Sequence, residues 1–334
     1  MHFTRKASCT VTVILFLITC ALSLPSDANA QKFRYYGTNL TDWAVLTSPP
    51  AGGQVNWRIL KNDNPSTGTF VDIPFGLSSD DIPNPGNWVG GAAHDLSVYR
   101  QSNNTYYTRE VSGAGTTFVT WGAGLTDSDA AEGDYDGDQK MDYTIVRAPT
   151  PTSTLEWWVL RSSDSTVRVF AFGNNATDLA LPGADYTGDG IDDPCVARIG
   201  ASGQTAWIWG STNGVQLGQV SWGNFNIDFL VPGGDYDGDG KADFMVWRGL
   251  GNGVWYLLTQ AGNVSYVAWG IPGSANRDRA LRAGDYDGDG KSDIAIYRPS
   301  TMTFWVNKSG GGIQTQVWGV PGNTNIPVAA YGIY

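Results

Sequence analysis

A short acidic pattern returns along the chain at an almost fixed interval, and that interval constrains the fold more than any other feature. DYDGDQKMD starts at Asp134, DYTGDGIDD at Asp185, DYDGDGKAD at Asp235 and DYDGDGKSD at Asp285, so successive copies begin 51, 50 and 50 residues apart. Each runs into the same apolar stretch closed by arginine: Asp142 to Arg147, Asp193 to Arg198, Asp243 to Arg248 and Asp293 to Arg298. Two degenerate copies lie upstream, DLSVYR from Asp95 to Arg100 and DWAVL from Asp42 to Leu46, which makes six units. Later parts of the unit repeat as well. An aromatic-centred stretch follows at Trp57, Tyr106, Trp158, Trp207, Trp255 and Trp305, and each unit then ends in an aromatic-glycine pair, as at Trp222-Gly223 and Trp269-Gly270. A short apolar run such as Phe229-Leu230-Val231 leads into the next acidic pattern. Four strand-like segments per fifty residues, with no helical period, predict an all-β six-bladed β-propeller of four-stranded blades.

The units cover approximately 31–76, 77–122, 123–173, 174–223, 224–270 and 271–319, so residues 31–334 read as one domain. The segment 326–331 (IPVAAY) resembles the strand that opens each later unit. The tail, 320–334, is therefore expected to complete the first blade and leave the ring without an open edge. In the alternative, 33–36 fills that slot and the tail begins an incomplete seventh blade.

The first thirty residues read differently. Arg5 and Lys6 precede an apolar run from Val11 to Leu24, and Ala28-Asn29-Ala30 forms a small-residue cleavage pattern ahead of Gln31. This is the pattern of a secretory signal peptide, too short to be a good membrane span, with a lipoprotein-type processing at Cys20 as the minority alternative. Export without membrane insertion is the expectation. Loss of this segment removes Cys9 and Cys20 and leaves Cys195 alone, so no intramolecular disulfide can fasten the loops. It also leaves 19 basic against 31 acidic side chains, a net charge of −12, which disfavours nucleic acid and anionic membranes as partners.

The acids are concentrated: the four loops hold 16 of those 31. With Asp235 as position 1, the loop of the fifth unit places Asp237 at 3, Asp239 at 5, Gly240 at 6, Lys241 at 7 and Asp243 at 9. Alternating oxygen donors suit calcium. A helix-loop-helix calcium site would need a further carboxylate at position 12, which here is Val246, and the residues after Asp243 have strand character. The loop therefore joins two strands. The candidate ligand sets are Asp134, Asp136, Asp138, Lys140 and Asp142; Asp185, Thr187, Asp189, Ile191 and Asp193; Asp235, Asp237, Asp239, Lys241 and Asp243; Asp285, Asp287, Asp289, Lys291 and Asp293. Position 7 contributes through its main-chain carbonyl, since Lys and Ile offer no suitable side-chain oxygen. About four Ca2+ ions follow, held more weakly where Gln139 replaces glycine and Thr187 replaces aspartate. The first unit (RYYGTNLTD from Arg34) and the second (NWVGGAAHD from Asn87) lack the acids and are expected to bind none.

The loops and their strand context resemble the FG-GAP or VCBS-type repeats of integrin α-chain propellers, some fungal lectins and many secreted bacterial proteins. The resemblance covers roughly residues 33 to 334 and implies calcium ligation at the aspartates that match D-x-D-x-D-G-x-x-D. It also implies that calcium is structural and that partners are proteins or glycans. The Gly-Ala-Pro segment that gives the repeat its name is absent.

Most of the 14 tryptophans recur at strand positions and read as packing between blades. Trp88, at position 2 of a loop without the acids, where the four acidic loops have tyrosine, and Trp157, Trp209 and Trp247, next to or beyond the repeating positions, are the candidates for exposed ligand-binding platforms. The recurring arginines look architectural, bracing neighbouring blades. Catalysis has little support: outside the leader there is one histidine, His94, and three glutamates, Glu110, Glu132 and Glu156. The sequence thus favours a secreted, monomeric, calcium-stabilised binding or adhesion module for a glycan or an extracellular protein. The alternative is a calcium-dependent polysaccharide lyase or hydrolase.

Overall fold

A computed structural model describes residues 33–48, 53–63, 68–113, 115–123, 127–128, 132–249, 251–271 and 278–330. The expected leader, 1–30, lies outside them, as does Tyr331 of the tail. The strands form six sheets of four, all pairings antiparallel, in six consecutive blades. Blade 2 comprises Asp81–Pro83, Leu96–Arg100, Thr105–Arg109 and Thr117–Thr120; blade 3 comprises Asp127–Ser128, Tyr143–Arg147, Thr154–Leu160 and Val167–Asn174. Blade 4 is Asp178–Ala184, Asp193–Ile199, Gln204–Gly210 and Gln216–Asn224; blade 5 is Asp228–Gly234, Asp243–Arg248, Val254–Leu258 and Val264–Ala268. Blade 6 is Arg279–Ala280, Ile294–Arg298, Thr303–Asn307 and Ile313–Val317.

Blade 1 is completed from both ends of the chain. Its first strand, Thr324–Pro327, pairs with Trp43–Ser48, followed by Gln54–Leu60 and Phe70–Leu77. The C-terminal strand thus closes the ring, but it starts and stops earlier than the apolar run 326–331 suggested. Val328–Ala330 turn into a 3-10 helix, and Val328 and Ala329 fill the core. Phe33 and Tyr35 are buried in the loop ahead of the second strand and do not take the closing slot.

The second strands are almost wholly buried, whereas the fourth alternate buried or half-buried with exposed residues at the rim. Cross-strand register shows which aromatics are equivalent. Asn56, Thr105, Glu156, Ala206, Val254 and Thr303 each face the last residues of the second strand, and the next residue points into the blade. That residue is Trp57, Tyr106, Trp157, Trp207, Trp255 or Phe304, each no more than 1% exposed. Trp158 and Trp305, equated with Trp207 and Trp255 on sequence, stand one residue further along, and a one-residue slip puts a side chain on the other face of the sheet. The hairpins between second and third strands differ in length, which is why spacing alone misaligned them.

The recurring arginines pin first strand to second. Arg100, Arg147, Arg198, Arg248 and Arg298 each make a bidentate pair with Asp81, Asp127, Asp178, Asp228 and Asp278, with Nε to oxygen distances of 2.6–2.8 Å. The same aspartates accept a main-chain N–H from the end of the preceding blade, for example Asn174 N to Asp178 and Asn224 N to Asp228. The arginine therefore braces its own blade, and the aspartate carries the link to the neighbour. At the closure in blade 1, neutral Asn325 takes the aspartate's place, accepting from Val320 N at 2.7 Å.

One ion pair has a different reach. Arg282 Nη1 of blade 6 lies 2.9 Å from Glu132 Oε1 at the start of the blade 3 loop, and both side chains are largely buried. In a ring of six, those blades stand opposite one another.

Candidate metal centres

Each acidic loop is a tight turn built on its first aspartate. Asp235 Oδ1 accepts the N–H of Gly238 at 2.6 Å and Oδ2 that of Gly240 at 2.8 Å. Asp285 repeats this with Gly288 and Gly290, and Asp185 with Gly188 and Gly190. The turn needs a positive φ at positions 4 and 6; Gln139, the departure in the third unit, is driven to φ 69° where glycine stands elsewhere. Position 9 closes the turn. Asp142, Asp193, Asp243 and Asp293 each accept the N–H of the position 2 tyrosine at 2.7–2.9 Å. Three of them also accept an N–H from the hairpin after the third strand, from Ser162, Gln260 and Ser309.

The loops are then joined into a circle. The N–H of position 8 donates to the carbonyl of position 1 in the preceding blade: Met141 to Asn87, Asp192 to Asp134, Ala242 to Asp185 and Ser292 to Asp235, all at 2.7 Å. Thr41 donates to Asp285 at 2.6 Å and His94 to Arg34 at 2.9 Å, completing six bonds out of six. Position 7 explains its own variability. A Cβ on Gly188 would lie 3.1 Å from Cγ and Cε of Lys241, and Lys291 and Ile191 cover Gly238 and Gly137 in the same way. These side chains are lids over the neighbouring turn, so length and apolar stem matter there rather than charge.

This circle includes blades 1 and 2, which lack the acids. Asp42 accepts the N–H groups of Tyr36 and Asn62, and Asp95 those of Trp88 and Val89. Position 9 is thus an architectural aspartate in all six blades, whatever else it does in four.

The carboxylates that converge on one another are those of positions 1, 3 and 5, of which position 1 also holds the turn together. Asp235, Asp237 and Asp239 present oxygens within 4.8 Å of one another, as do Asp285, Asp287 and Asp289. Asp243 and Asp293 are outside those trios. Asp287 Oδ1 is buried with no hydrogen-bond partner. Burial, reinforced by the neighbouring loop carboxylates, pushes Asp243 and Asp293 up to about 7 and raises Asp235 and Asp285. An all-oxygen donor set, an orphaned carboxylate oxygen and crowded acids are what a hard divalent cation would offset, so the residues of these two loops fit calcium.

The third unit differs. There the trio is Asp134, Asp136 and Asp142, and two carboxylates of the loop, Asp136 and Asp138, already have cationic partners. Arg161 Nε lies 3.2 Å from Asp136, Ser163 Oγ 2.6 Å from the same oxygen, and Lys140 Nζ 2.9 Å from Asp138. Arg161 carries no repeat signature, since the equivalent hairpin residues are Ser211, Thr259 and Lys308, so spacing arguments pass over it. In the fourth unit Thr187 Oγ1 turns toward Asp185 Oδ1 at 3.5 Å, beside Asp189.

None of the four tryptophans singled out as open platforms is one. Trp88 packs on Tyr106 and Tyr143 and donates its indole N–H to Asn84 O. Trp157 stacks on Phe170, and Trp247 lies against Phe229 and Trp255; these three are at most 4% exposed. Trp209 is half-buried on Tyr186 and Phe244. They fill the space between blades because large rings are what that wedge requires. His94, the one candidate base, accepts the N–H of Phe33 at Nδ1 and packs against Phe33 and Tyr35.

Comparison with known proteins bears on this architecture. Residues 235–296 match the model of the FG-GAP-like repeat. No curated protein matches the chain. Among solved structures, a triple arginine-to-alanine mutant of AofleA from Arthrobotrys oligospora aligns at 8% identity and a TM-score of 0.51, covering 87% of each chain. A catalytically inactive mutant of virginiamycin B lyase from Staphylococcus aureus with quinupristin aligns at 9% identity and 0.48, over 89% of this chain and 95% of that one. A protein of unknown function from Bacteroides caccae gives 11% and 0.43, over 87% and 92%. At such identities the first likeness concerns the fold alone. No helix among the described residues is long and apolar enough to cross a membrane.

Proposed function

We propose that this six-bladed β-propeller of FG-GAP-like repeats is a secreted binding module for an extracellular glycan or protein, and that the calcium it holds is structural. The observation that carries the reading is the circle of loops. The same position 8 to position 1 bond and the same position 9 aspartate occur in blades with the acids and in blades without them. The acidic loops are therefore members of a closed architectural ring, and a cation there offsets charge and stiffens the joints. Asp235, Asp237 and Asp239, and Asp285, Asp287 and Asp289, are the residues that would hold it most strongly. The loops from Asp134 and Asp185 are weaker sites, the former because Arg161 and Lys140 already neutralise two of its acids. Binding rather than turnover fits a chain whose histidine is tied into the blade 1 to blade 2 joint and whose Glu132 is paired with Arg282.

Metal analysis and thermal unfolding of the exported protein, with calcium and with chelator, test the structural part. Bound calcium together with a large chelator-dependent loss of stability is expected. Calcium that binds without changing stability would overturn it. Binding to glycan arrays or capture of extracellular proteins without product formation supports the module, whereas depolymerisation of a polysaccharide would replace it by the enzymatic reading.

A further inference from the structure

The acidic loops of blades 5 and 6 have the same aspartates and different surroundings, and the difference lies in the hairpin between the third and fourth strands. In blade 6 that hairpin, residues 308–312, lies against the loop. Ser309 donates its main-chain N–H to Asp293 at 2.7 Å, and its hydroxyl, 3.0 and 2.9 Å from the two oxygens of Asp289, donates to that carboxylate. At Gly310 a Cβ would meet Asp287 Oδ2 at 2.9 Å and Asp289 Oδ2 at 3.3 Å. Gly310 is not among the glycines held at positive φ, so close approach to the carboxylates, rather than the backbone, asks for glycine there. Blade 5 lacks this clasp. Gln260 repeats the main-chain bond, to Asp243 at 3.1 Å, but turns its amide to Ala242 O at 2.9 Å. Gly262 of the same hairpin faces open space.

The other side of the blade 6 loop is held by blade 1. Besides the Thr41 bond to Asp285 O, buried Asn62 donates its amide to Tyr286 O at 3.1 Å and accepts from Gln314 Nε2 of blade 6 at 3.3 Å. Carboxylates already fixed in place favour a cation, because freedom lost before binding is not lost on binding. A carboxylate has about four lone-pair sites, so one hydroxyl leaves room for a metal. A neutral donor also leaves the charge intact, which Arg161 and Lys140 in the third unit do not. From this contrast we infer that residues 308–312 belong to the cation site of blade 6, Ser309 as the positioning residue for Asp289 and Gly310 as the gap that seats the hairpin against Asp287. Blade 6 is then the tighter and slower-releasing of the two strong sites. The inference rests on the reading of the acidic loops as calcium sites and ranks them. The last ion to leave is the one beside the joint where the C-terminal strand closes the ring.

The test uses the exported protein stripped by chelator, titrated with Ca2+ in a calorimeter and then mixed rapidly with chelator to time release. In wild type the two tightest sites are expected to differ by about three- to tenfold, the worth of a hydrogen bond to a charged group. Asp287→Asn is expected to remove the tighter site and Asp237→Asn the weaker. Ser309→Ala should weaken the tighter site by about the same factor and speed its release, and Ser309→Thr, which keeps the hydroxyl, should restore both. Gly310→Ala, whose Cβ displaces the carboxylates, is expected to act as Ser309→Ala does, with melting in chelator as in wild type. Loss of the tighter site in Asp237→Asn would overturn the inference and leave calcium binding standing, as would wild-type affinity and release in both Ser309→Ala and Gly310→Ala. No calcium bound by wild type would overturn the calcium reading and the inference together.

Discussion

The loops of blades 1 and 2 and those of blades 5 and 6 have the same backbone bonds and different chemistry. In all four, position 9 is an aspartate that accepts the N–H of position 2 or of its equivalent one residue on, and position 8 bonds to the neighbouring blade. Only blades 5 and 6 add three converging carboxylates at positions 1, 3 and 5. Blade 2 meets the same need at position 1 with Asn87, whose Oδ1 accepts from Gly90 N and whose Nδ2 donates to Gln139 O. A neutral amide thus forms the turn. The carboxylates of blades 5 and 6 are more than the turn requires, and their surplus charge is what a cation would offset.

The largest expected difference is the response to chelator. A site occupied at a hundredfold its Kd adds about 2.7 kcal/mol, so two strong sites give a calorimetric shift on the order of 10 °C or more. Unchanged melting on chelation would erase the distinction between the two kinds of loop.

Next comes pH, and it concerns a blade without the acidic trio. Burial pushes Asp42 up to about 6 against the bonds it accepts from Asn62 and Tyr36. Because the folded value exceeds the unfolded one of about 3.9, this group favours folding most when protonated. Stability from it is present below about pH 4 and falls by up to roughly 3 kcal/mol as pH rises to about 6. Asp42→Asn is expected to remove that slope from urea titrations run with chelator; a slope equal to wild type would assign it to other groups.

Smaller again is the contrast between Asp235→Ala and Asn87→Ala. Both lose turn bonds, at about 1 kcal/mol for a cap of this kind, but only the aspartate change should also release one calcium and lower stability by a further ~2.7 kcal/mol at a hundredfold its Kd. Equal losses, with metal content unchanged in both, would break the comparison. The smallest effect is expected in the third unit. Arg161→Ala frees Asp136, whose side chain is buried, from an ion pair with a partly exposed arginine and should strengthen calcium binding there several-fold, read by calorimetry as an added or tighter site.

Much of this was legible from the repeat. The period gave the number of blades, the apolar tail gave the closure, and the aspartate spacing singled out the loops. What escaped depended on side-chain facing. Trp157 and Trp158 are adjacent in sequence, but one is fully buried and the other stacks under Arg147 at 4.8 Å, and hairpin length decides which is which. Arg161 neutralises a loop 25 residues upstream from a position where blades 4, 5 and 6 have Ser211, Thr259 and Lys308. Trp157 was a candidate for exposure because it broke the apparent register, when it was the register that needed shifting; Trp88, Trp209 and Trp247 are covered by the aromatic rings around them, which spacing does not show. The recurring arginines read as structural, but their aspartate partners, one strand earlier and 19 or 20 residues away, carry the contact to the preceding blade.

The Arg282–Glu132 pair has a mechanical consequence. The other inter-blade bonds described above act along the circumference, each restraining one joint, so a ring built from them alone still has a soft mode in which small slips at every joint turn the circle into an ellipse. A contact between blades half a turn apart is a diameter. It stiffens the end of the wheel where the acidic loops lie and leaves the opposite end freer to flare, so the molecule should breathe as a cone does, widening at one rim about a fixed apex.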